Sequence, residues 1–173
     1  MKIIFVVACD LARDPNGYIV VGPETKIACD RAVEIVKSST ESIIAATAGE
    51  TKTIDGNVYM AHVMRNYLRS KAPDNIHVVI RRAQVFNTSG EMEALAKLIV
   101  DFDNIDTEIT QITLAVKWWH APRSWCLCKY WLWKNRLKIP VKISWCHSTM
   151  NWMVIPEIGA IIKNACRILI FGR

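Results

Sequence analysis

Residues 118–123, with the sequence WWHAPR, contain the side chains of this chain best suited to acid–base and anion chemistry. They directly follow residues 112–116, a short apolar run rich in β-branched side chains, which predicts a buried strand. Open α/β sheets bind ligands just beyond the carboxyl ends of their strands. A histidine exchanges a proton near neutral pH, and an arginine keeps its charge. We therefore predict that His120 transfers a proton and that Arg123 holds an anion.

Polar residues also follow the other predicted strands, and we expect them to share one edge of the sheet with His120. A general acid or base needs a partner within hydrogen-bond reach, and we expect Asp10 or Glu50 to take that role. A helix start with free N–H groups beside arginines forms an anion site, which favours a phosphate, pyrophosphate or carboxylate ligand. The residues expected to bind this ligand are Arg13, Arg31, Thr47, Gly49, Asn87, Thr88 and Arg123.

Several of these residues have a simpler alternative role. In that alternative Asp10 caps a turn, and Arg31 is a surface charge on the first predicted helix. Thr88 and Glu91 match a capping box, in which each side chain binds a backbone N–H group at a helix start. His120 then lies at a helix start without a ligand. The functional prediction therefore depends on the convergence of these residues at one edge.

The elements that position these residues are predicted to alternate between strand and helix. Strands are predicted over residues 2–9, 42–47, 76–80, 112–116 and 140–145. Helices are predicted from Thr25 to residue 37, over residues 60–68, from Thr88, over residues 122–135 and from Pro156. This order predicts the α/β class, with a single Rossmann-like three-layer sandwich over residues 1–173 and a mostly parallel five-stranded sheet. Neither a G-x-G-x-x-G motif nor a Walker lysine motif supports a conventional dinucleotide or P-loop site.

The composition predicts a folded domain with an anionic partner. The chain has 173 residues and is 51% hydrophobic, which excludes a disordered protein. Its formal net charge of +6 favours an anionic partner, which could be a phosphate, a nucleotide, a nucleic acid or an anionic membrane surface, and we expect an anionic small molecule. Charged residues interrupt the apolar stretch over residues 153–171, and the apolar stretch near residue 2 is too short for a secretory signal. We therefore expect no membrane span and a cytoplasmic location.

The six cysteines form no recognisable disulfide framework, and reduced, buried thiols are the expectation for a cytosolic protein. A zinc site is the alternative, with Cys126, Cys128, Cys146 and His147 as ligands. The Cys-x-Cys spacing differs from the spacing of most zinc sites, and a second pair of that kind is absent from the sequence. We therefore predict no metal.

Five short motifs follow one another along the chain in the order Arg31-Ala32, Ala48-Gly49, Met60-Ala61-x₂-Met64-x₂-Tyr67-Leu68, Asn87-Thr88 and His120-Ala-Pro-Arg123. Together they resemble the YdcF-like domain family, which includes the SanA and ElyC group. The resemblance covers most of the chain and implies a Rossmann-like domain. It also makes S-adenosylmethionine a candidate ligand.

All seven tryptophans lie between residues 118 and 152, interleaved with cations. One interpretation is a surface over residues 117–138 that contacts a membrane or a protein partner, with indole rings at the lipid headgroups. The alternative is packing, in which Trp125, Leu132 and Trp133 lie on the sheet while the cations extend to solvent. Nucleic acid, whose bases stack on aromatic rings, is the partner that we expect least. The cations are Lys117, Arg123, Lys129, Lys134, Arg136 and Lys138.

Two functions follow from these patterns. The first is a protein that binds a phosphate-bearing or nucleotide-like small molecule at the carboxyl edge of the sheet, with turnover as a transferase or hydrolase left open. The second is a non-enzymatic interaction module that uses the surface over residues 117–138. The first depends on whether the polar side chains that follow the strands meet at one edge.

Overall fold

Strands and helices alternate along the part of the chain that the computed structural model describes, namely residues 1–38, 42–47, 50–53, 56–81, 87–104, 107–148 and 158–160. Residues 158–160 are helical, and the remainder of the helix predicted from Pro156 lies outside the described residues. In chain order the elements are β1 (Lys2–Val6), β2 (Leu11–Arg13), β3 (Ile19–Val21), α1 (Pro23–Lys37), β4 (Ser42–Thr47), β5 (Glu50–Thr53), β6 (Gly56–Tyr59), α2 (Met60–Lys71), β7 (Val78–Arg81), α3 (Thr88–Asp103), β8 (Gln111–Lys117), α4 (Ala121–Lys134) and β9 (Val141–Cys146).

Five of the strands form one sheet in the order β7-β4-β1-β8-β9, and every neighbouring pair is parallel. The predicted α/β class with a Rossmann-like parallel sheet is confirmed. The strand order reverses next to β1, because the chain adds β4 and β7 on one side of it and β8 and β9 on the other. In sheets of this kind the ligand crevice lies between the two strands at the reversal, which here are β1 and β8.

Different helices cover the two faces of the sheet, because the side chains of a strand alternate between faces. On one face, Phe5 of β1 belongs to the same buried cluster as Leu95 of α3 and Leu127 of α4. On the other face, Ile4 belongs to a cluster that includes Met64 of α2. Since β1 is buried on both faces from Ile3 to Val6, its sequence is continuously apolar over those residues.

Two short antiparallel hairpins occupy segments that the sequence predicts as loops, β2–β3 after β1 and β5–β6 after β4. In the first, the carboxylate of Asp14 accepts the backbone N–H groups of Asn16 and Tyr18. Gly17 adopts a positive φ of 86°, which favours glycine. The sequence Asp-Pro-Asn-Gly therefore forms a hairpin turn. The strands that it joins are missed by the periodicity because each has only three residues.

Helix α1 begins at Pro23, two residues before the start predicted at Thr25. A proline is favoured at the first helical position, where its missing N–H group costs nothing. The N-cap residue Gly22 has no side chain, and Asp10 supplies the cap from a distance. Its Oδ1 accepts the Thr25 amide at 2.7 Å and its Oδ2 accepts the Glu24 amide at 3.4 Å. Asp10 thus connects the end of β1 to the start of α1.

Gly22→Ala is expected to destabilise the protein by about 1–2 kcal/mol, the usual cost of losing a helix cap. A β-carbon at this position would lie 2.3 Å from the Asp10 carboxyl group, which must then move away from the Thr25 amide. Backbone strain does not contribute, because the φ of Gly22 is −70°. Urea denaturation measures the change. In an Asp10→Ala background the same substitution should cost much less, and equal costs in the two backgrounds would contradict this role of Asp10.

Candidate functional site

Buried polar side chains gather where β1 and β8 end, at the reversal of the strand order. A buried polar or charged group costs free energy unless it is paired, so the fold can hold such a cluster only through mutual contacts. The side chains come from the end of β8 and from the starts of α1, α3 and α4. The buried members are Glu24, Thr25, Thr88, Glu91, Lys117, His120 and Ser124.

His120 and Arg123 meet at the hydroxyl group of Thr88. His120 precedes α4, and its backbone N–H group donates to the carbonyl of Lys117 in the turn that leaves β8. The ring Nε2 of His120 lies 3.0 Å from Thr88 Oγ1, and Arg123 Nη2 donates to the same oxygen at 2.5 Å. Two of the predicted site elements, the start of α3 and the segment after β8, are therefore in direct contact.

The Thr88 hydroxyl suits both protonation states of His120. A hydroxyl group has one proton to donate and two lone pairs that accept. When Nε2 carries no proton, the hydroxyl donates to it and accepts from Arg123. When Nε2 carries a proton, the ring donates to the second lone pair of the same oxygen. The hydrogen bond between Thr88 and His120 is therefore compatible with either donor–acceptor arrangement of the ring.

Asn87, rather than Thr88, caps helix α3. The side chain of Asn87 accepts the Gly90 amide at 3.0 Å, so the predicted capping box between Thr88 and Glu91 is wrong. Asparagine is as good an N-cap residue as threonine, and a helix that starts one residue earlier turns Thr88 and Glu91 inward. Asn87 itself is exposed. The start of α3 therefore has its cap on the outside and two polar side chains inside.

Glu91 is fully buried beside the end of β1. Burial raises the pKa of Glu91 to about 8, although a hydrogen bond from the Ala8 backbone and the charge of Arg123 act in the opposite direction. The carboxyl group is therefore largely protonated near neutral pH. The sequence gives this residue only a capping role, and no local pattern reveals that the helix turns it toward β1.

Lys117 and Glu24 form a buried ion pair that the sequence analysis missed. The ammonium of Lys117 is fully buried and lies 2.9 Å from Glu24 Oε2, and it also donates to the backbone carbonyl of Glu24. The Ser148 hydroxyl donates to the same carboxylate at 2.7 Å. Lys117 therefore does not belong to the surface predicted over residues 117–138. The sequence gives one signal for such a pair, namely a lysine that directly continues an apolar strand.

Near the start of α4, the buried atoms Trp119 Nε1 and Ser124 Oγ have no hydrogen-bond partner among the described residues. Trp119 is 8% exposed, and its ring centre lies 5.2 Å from that of His120. Buried donors of this kind are rare in folded proteins, and one explanation is an ordered water or a ligand. The Trp119 N–H group and the Ser124 hydroxyl can therefore each form a further hydrogen bond close to His120.

Three other predicted residues have structural contacts of their own. Asp10 is the cap of α1, which agrees with the simpler alternative stated for it. Arg13 donates to the Gly17 carbonyl at 2.7 Å and braces its own hairpin. Arg31 lies beside β9, where its Nε donates to Ser144 Oγ at 2.8 Å and its Nη1 pairs with Glu34. None of these contacts involves Thr88 or Arg123.

The residues predicted after the second strand fall in or near a hairpin. Thr47 is the last residue of β4, and Glu50 opens β5 and pairs with Tyr59 of β6. Gly49 lies outside the described residues. Of the predicted site residues, the structure thus brings together Thr88, His120 and Arg123, with Asn87 at the adjoining helix start.

No family model, curated protein or solved structure matches this chain.

The proposed zinc ligands do not form a metal site in the described part of the chain. Cys126 is exposed on the outer face of α4, whereas Cys128 is buried in the core, so the two side chains point in different directions. Within the ranges that the structure describes, no group of three or more His, Cys, Asp or Glu residues could hold a metal ion. The Cys-x-Cys spacing thus reflects one buried and one exposed helix position.

The packing alternative for the tryptophans is wrong for Trp125 and Trp133, which are 38% and 69% exposed, whereas Leu132 is buried as predicted. Trp125 and Trp133 lie on the outward face of α4, and Leu132 faces the sheet. None of the described helices is long and apolar enough to cross a membrane. The tryptophans of α4 thus differ in burial, because Trp125 and Trp133 are exposed while Trp131 packs against the core.

Lys117→Met is expected to cost about 3–5 kcal/mol of unfolding free energy, because it leaves the buried charge of Glu24 without its cation. Urea denaturation provides the measurement. The double variant Lys117→Met/Glu24→Gln should recover part of that loss, because both charges are then absent. The exposed pair of Glu93 and Lys97 is the matched control, since its two side chains are 35% and 55% exposed. Lys97→Met should change stability by about 0.5 kcal/mol or less. A loss of that size for Lys117→Met would contradict the buried pair.

Glu91→Gln is expected to remove a pH-dependent loss of stability between about pH 4.5 and pH 8. Over this interval the folded protein keeps a proton on Glu91 that the unfolded chain releases, so the unfolding free energy falls as the pH rises. Below this range both states hold the proton, and above it neither does. Relative to the wild type, the unfolding free energy of Glu91→Gln should therefore rise by up to about 1.4 kcal/mol for each pH unit within this range. Denaturation at several pH values tests this, with the partly exposed Glu93→Gln as control, and parallel curves for wild type and Glu91→Gln would contradict it.

Proposed function

We propose that this protein binds a phosphate-bearing or nucleotide-like small molecule at the carboxyl edge of its sheet, between the starts of α3 and α4. The observation that carries the proposal is the contact of His120 and Arg123 with Thr88 beside the reversal of the strand order. Rossmann-like sheets bind their ligands at this position. A permanently charged guanidinium and a titratable ring there suit an anionic ligand that gains or loses a proton.

The start of α3 adds hydrogen-bond donors for the anion. The first amides of a helix have no acceptor within it, and their partial positive charge attracts anions. Asn87 satisfies the Gly90 amide, which leaves the amides of Thr88 and Ser89 without an acceptor in the helix. Ser89 is only partly buried, so this end of the helix is accessible. The unused Ser124 hydroxyl offers a further group at the start of α4.

Glu91 keeps the charge of Arg123 for the ligand. A carboxylate beside an arginine normally neutralises it and competes with an anionic ligand. Because burial raises the pKa of Glu91 to about 8, its carboxyl group is largely uncharged at neutral pH and competes little. In this proposal His120 transfers the proton and Thr88 orients it, which replaces the partner role predicted for Asp10 or Glu50.

The resemblance to the YdcF-like domain family widens the set of ligands to test. It adds S-adenosylmethionine, whose nucleoside portion is nucleotide-like although it carries no phosphate. The anion site favours the phosphate-bearing ligands, because Arg123 and the α3 amides all interact most strongly with negative charge. A transferase or a hydrolase activity on such a ligand is the reaction class that His120 would serve.

Arg123→Gln should weaken binding of phosphate-bearing probes by about tenfold or more, because it removes a charged hydrogen-bond donor. Thermal shift with inorganic phosphate, adenosine monophosphate and S-adenosylmethionine measures this, since a ligand raises the melting temperature only by binding the folded state. His120→Gln should weaken binding less. Arg31→Gln is the matched control, because Arg31 contacts Ser144 and Glu34 instead. Equal shifts in wild type and Arg123→Gln would contradict the site.

The same measurement at several pH values tests the role assigned to Glu91. Phosphate binding by the wild type should weaken as the pH rises through about 8, because the ionised carboxylate then competes for Arg123. Glu91→Gln should keep its affinity over that range. If the two proteins lose affinity together, Glu91 does not control the charge that is left to the ligand.

A further inference from the structure

The outward face of α4 and the neighbouring strand β9 carry an unusual number of large exposed apolar side chains. Trp118 and Trp125 are each 38% exposed, Trp145 is 56% exposed and Trp133 is 69% exposed. Single exposed apolar residues are common, whereas a contiguous patch of them marks an interaction site. We name this patch the tryptophan surface, and its members are Trp118, Pro122, Trp125, Trp133, Ile143 and Trp145.

Helical spacing and strand alternation place these side chains on one side of the molecule. Pro122, Trp125 and Trp133 are three and eight residues apart, which keeps them on one face of α4. Ile143 and Trp145 are two residues apart in β9, the last strand of the described sheet, and pair with β8 residues whose side chains face α4. A groove lined by residues of both elements, including Pro122 and Trp145, joins the two parts.

The segment that carries the tryptophan surface has basic but no acidic side chains, whereas helix α1 brings Asp30 and Glu34 to a groove that they share with Ile143 and Trp145. The sequence contains no Asp or Glu from residue 109 to residue 156. Lys129, Arg136 and Lys138 are exposed and line a second groove together with Trp133. An exposed cluster of indole rings with cations at its border therefore faces solvent with no carboxylate of its own segment to neutralise it. The partner that this arrangement fits is apolar at its centre and anionic at its surface.

We propose that the tryptophan surface docks the protein on the face of an anionic lipid bilayer. Indole rings favour the headgroup region, where the ring is in contact with acyl chains and its N–H group reaches water or phosphate. Lysine and arginine side chains at the border bind the anionic headgroups. With no membrane-spanning helix among the described residues, the contact is peripheral.

A bilayer fits this surface better than single-stranded nucleic acid does. Bases stack on aromatic rings, and a nucleic-acid surface uses a cationic groove in which rings follow one another. Here the rings stand on the outward face of a helix and on the edge strand, interspersed with the aliphatic residues Pro122 and Ile143. Aliphatic side chains give no stacking energy but do favour an acyl-chain environment.

Co-sedimentation with vesicles tests the proposal on the full chain. We expect binding to vesicles that contain phosphatidylglycerol, weaker binding to phosphatidylcholine alone, and loss of binding at high salt. Because all seven tryptophans lie between residues 118 and 152, their fluorescence should shift to shorter wavelength on binding. Quenching by brominated acyl chains should then report contact of the rings with the bilayer. Absence of binding to anionic vesicles at low salt would overturn the proposal.

Matched variants distinguish vesicle binding through the tryptophan surface from nonspecific adsorption of the protein to vesicles. Lys129→Gln/Lys138→Gln should weaken vesicle binding by about 10-fold or more, and Trp133→Ala/Trp145→Ala should have an effect of similar size. Lys37→Gln/Lys71→Gln removes two exposed charges of α1 and α2, and Tyr18→Ala removes an aromatic ring that is 72% exposed on the β2–β3 hairpin. Both controls should bind like the wild type, and urea denaturation verifies that each variant is folded.

Two results would replace the bilayer with another partner and so refute the proposal. Tighter binding to an oligothymidine than to anionic vesicles would identify single-stranded nucleic acid. Concentration-dependent self-association in sedimentation velocity, abolished by Trp133→Ala/Trp145→Ala, would identify a second copy of the chain. Neither result bears on the ligand site at Arg123, because Arg123 is not among the residues that form the tryptophan surface.

Discussion

The buried ion pair between Lys117 and Glu24 joins the end of β8 to the first turn of α1. Because Asp10 holds α1 to the end of β1, these contacts together connect the two strands at the reversal of the strand order. Both charges are removed from water, so their attraction offsets the loss of hydration only if the two groups keep close contact. Lys117 ends β8, and its carbonyl also holds the turn that places His120 before α4. Glu24 lies in the first turn of α1, whose cap is the carboxylate of Asp10. The pair therefore sets the relative positions from which the remaining polar contacts of this edge are built.

The carboxyl edge combines two kinds of buried acid. The carboxylate of Glu24 is permanently matched by an ammonium and by the Ser148 hydroxyl. Glu91, on the same edge, receives a hydrogen bond from the Ala8 backbone, but burial outweighs this and raises its pKa to about 8. Glu24 is thus part of a buried ion pair, whereas Glu91 is largely uncharged near neutral pH. In the proposed function, this difference between the two acids keeps the positive charge of Arg123 for an anionic ligand.

The sequence predicted the sheet well and the site only in part. Apolar runs such as residues 42–47 define buried strands, because a parallel strand covered on both faces leaves no polar alternation. The contact among Thr88, His120 and Arg123 could be expected, because their segments both lie beyond the carboxyl ends of parallel strands. The buried state of Lys117 and the inward turn of Glu91 could not be predicted, because each depends on a partner far away in the sequence. Arg31 was misplaced for the same reason, since nothing local indicates that it meets Ser144 of β9.

The position of β1 in the middle of the sheet has a consequence for how the chain folds. Strand β1 pairs with β4 on one side and with β8 on the other, and β8 begins more than a hundred residues later in the chain. Closing so long a stretch of chain makes such pairing slow relative to local structure. During translation one edge of β1 therefore stays without its neighbour until residue 117 has emerged from the ribosome. A nascent chain stalled before that point exposes an apolar strand edge, which makes it a substrate for chaperones.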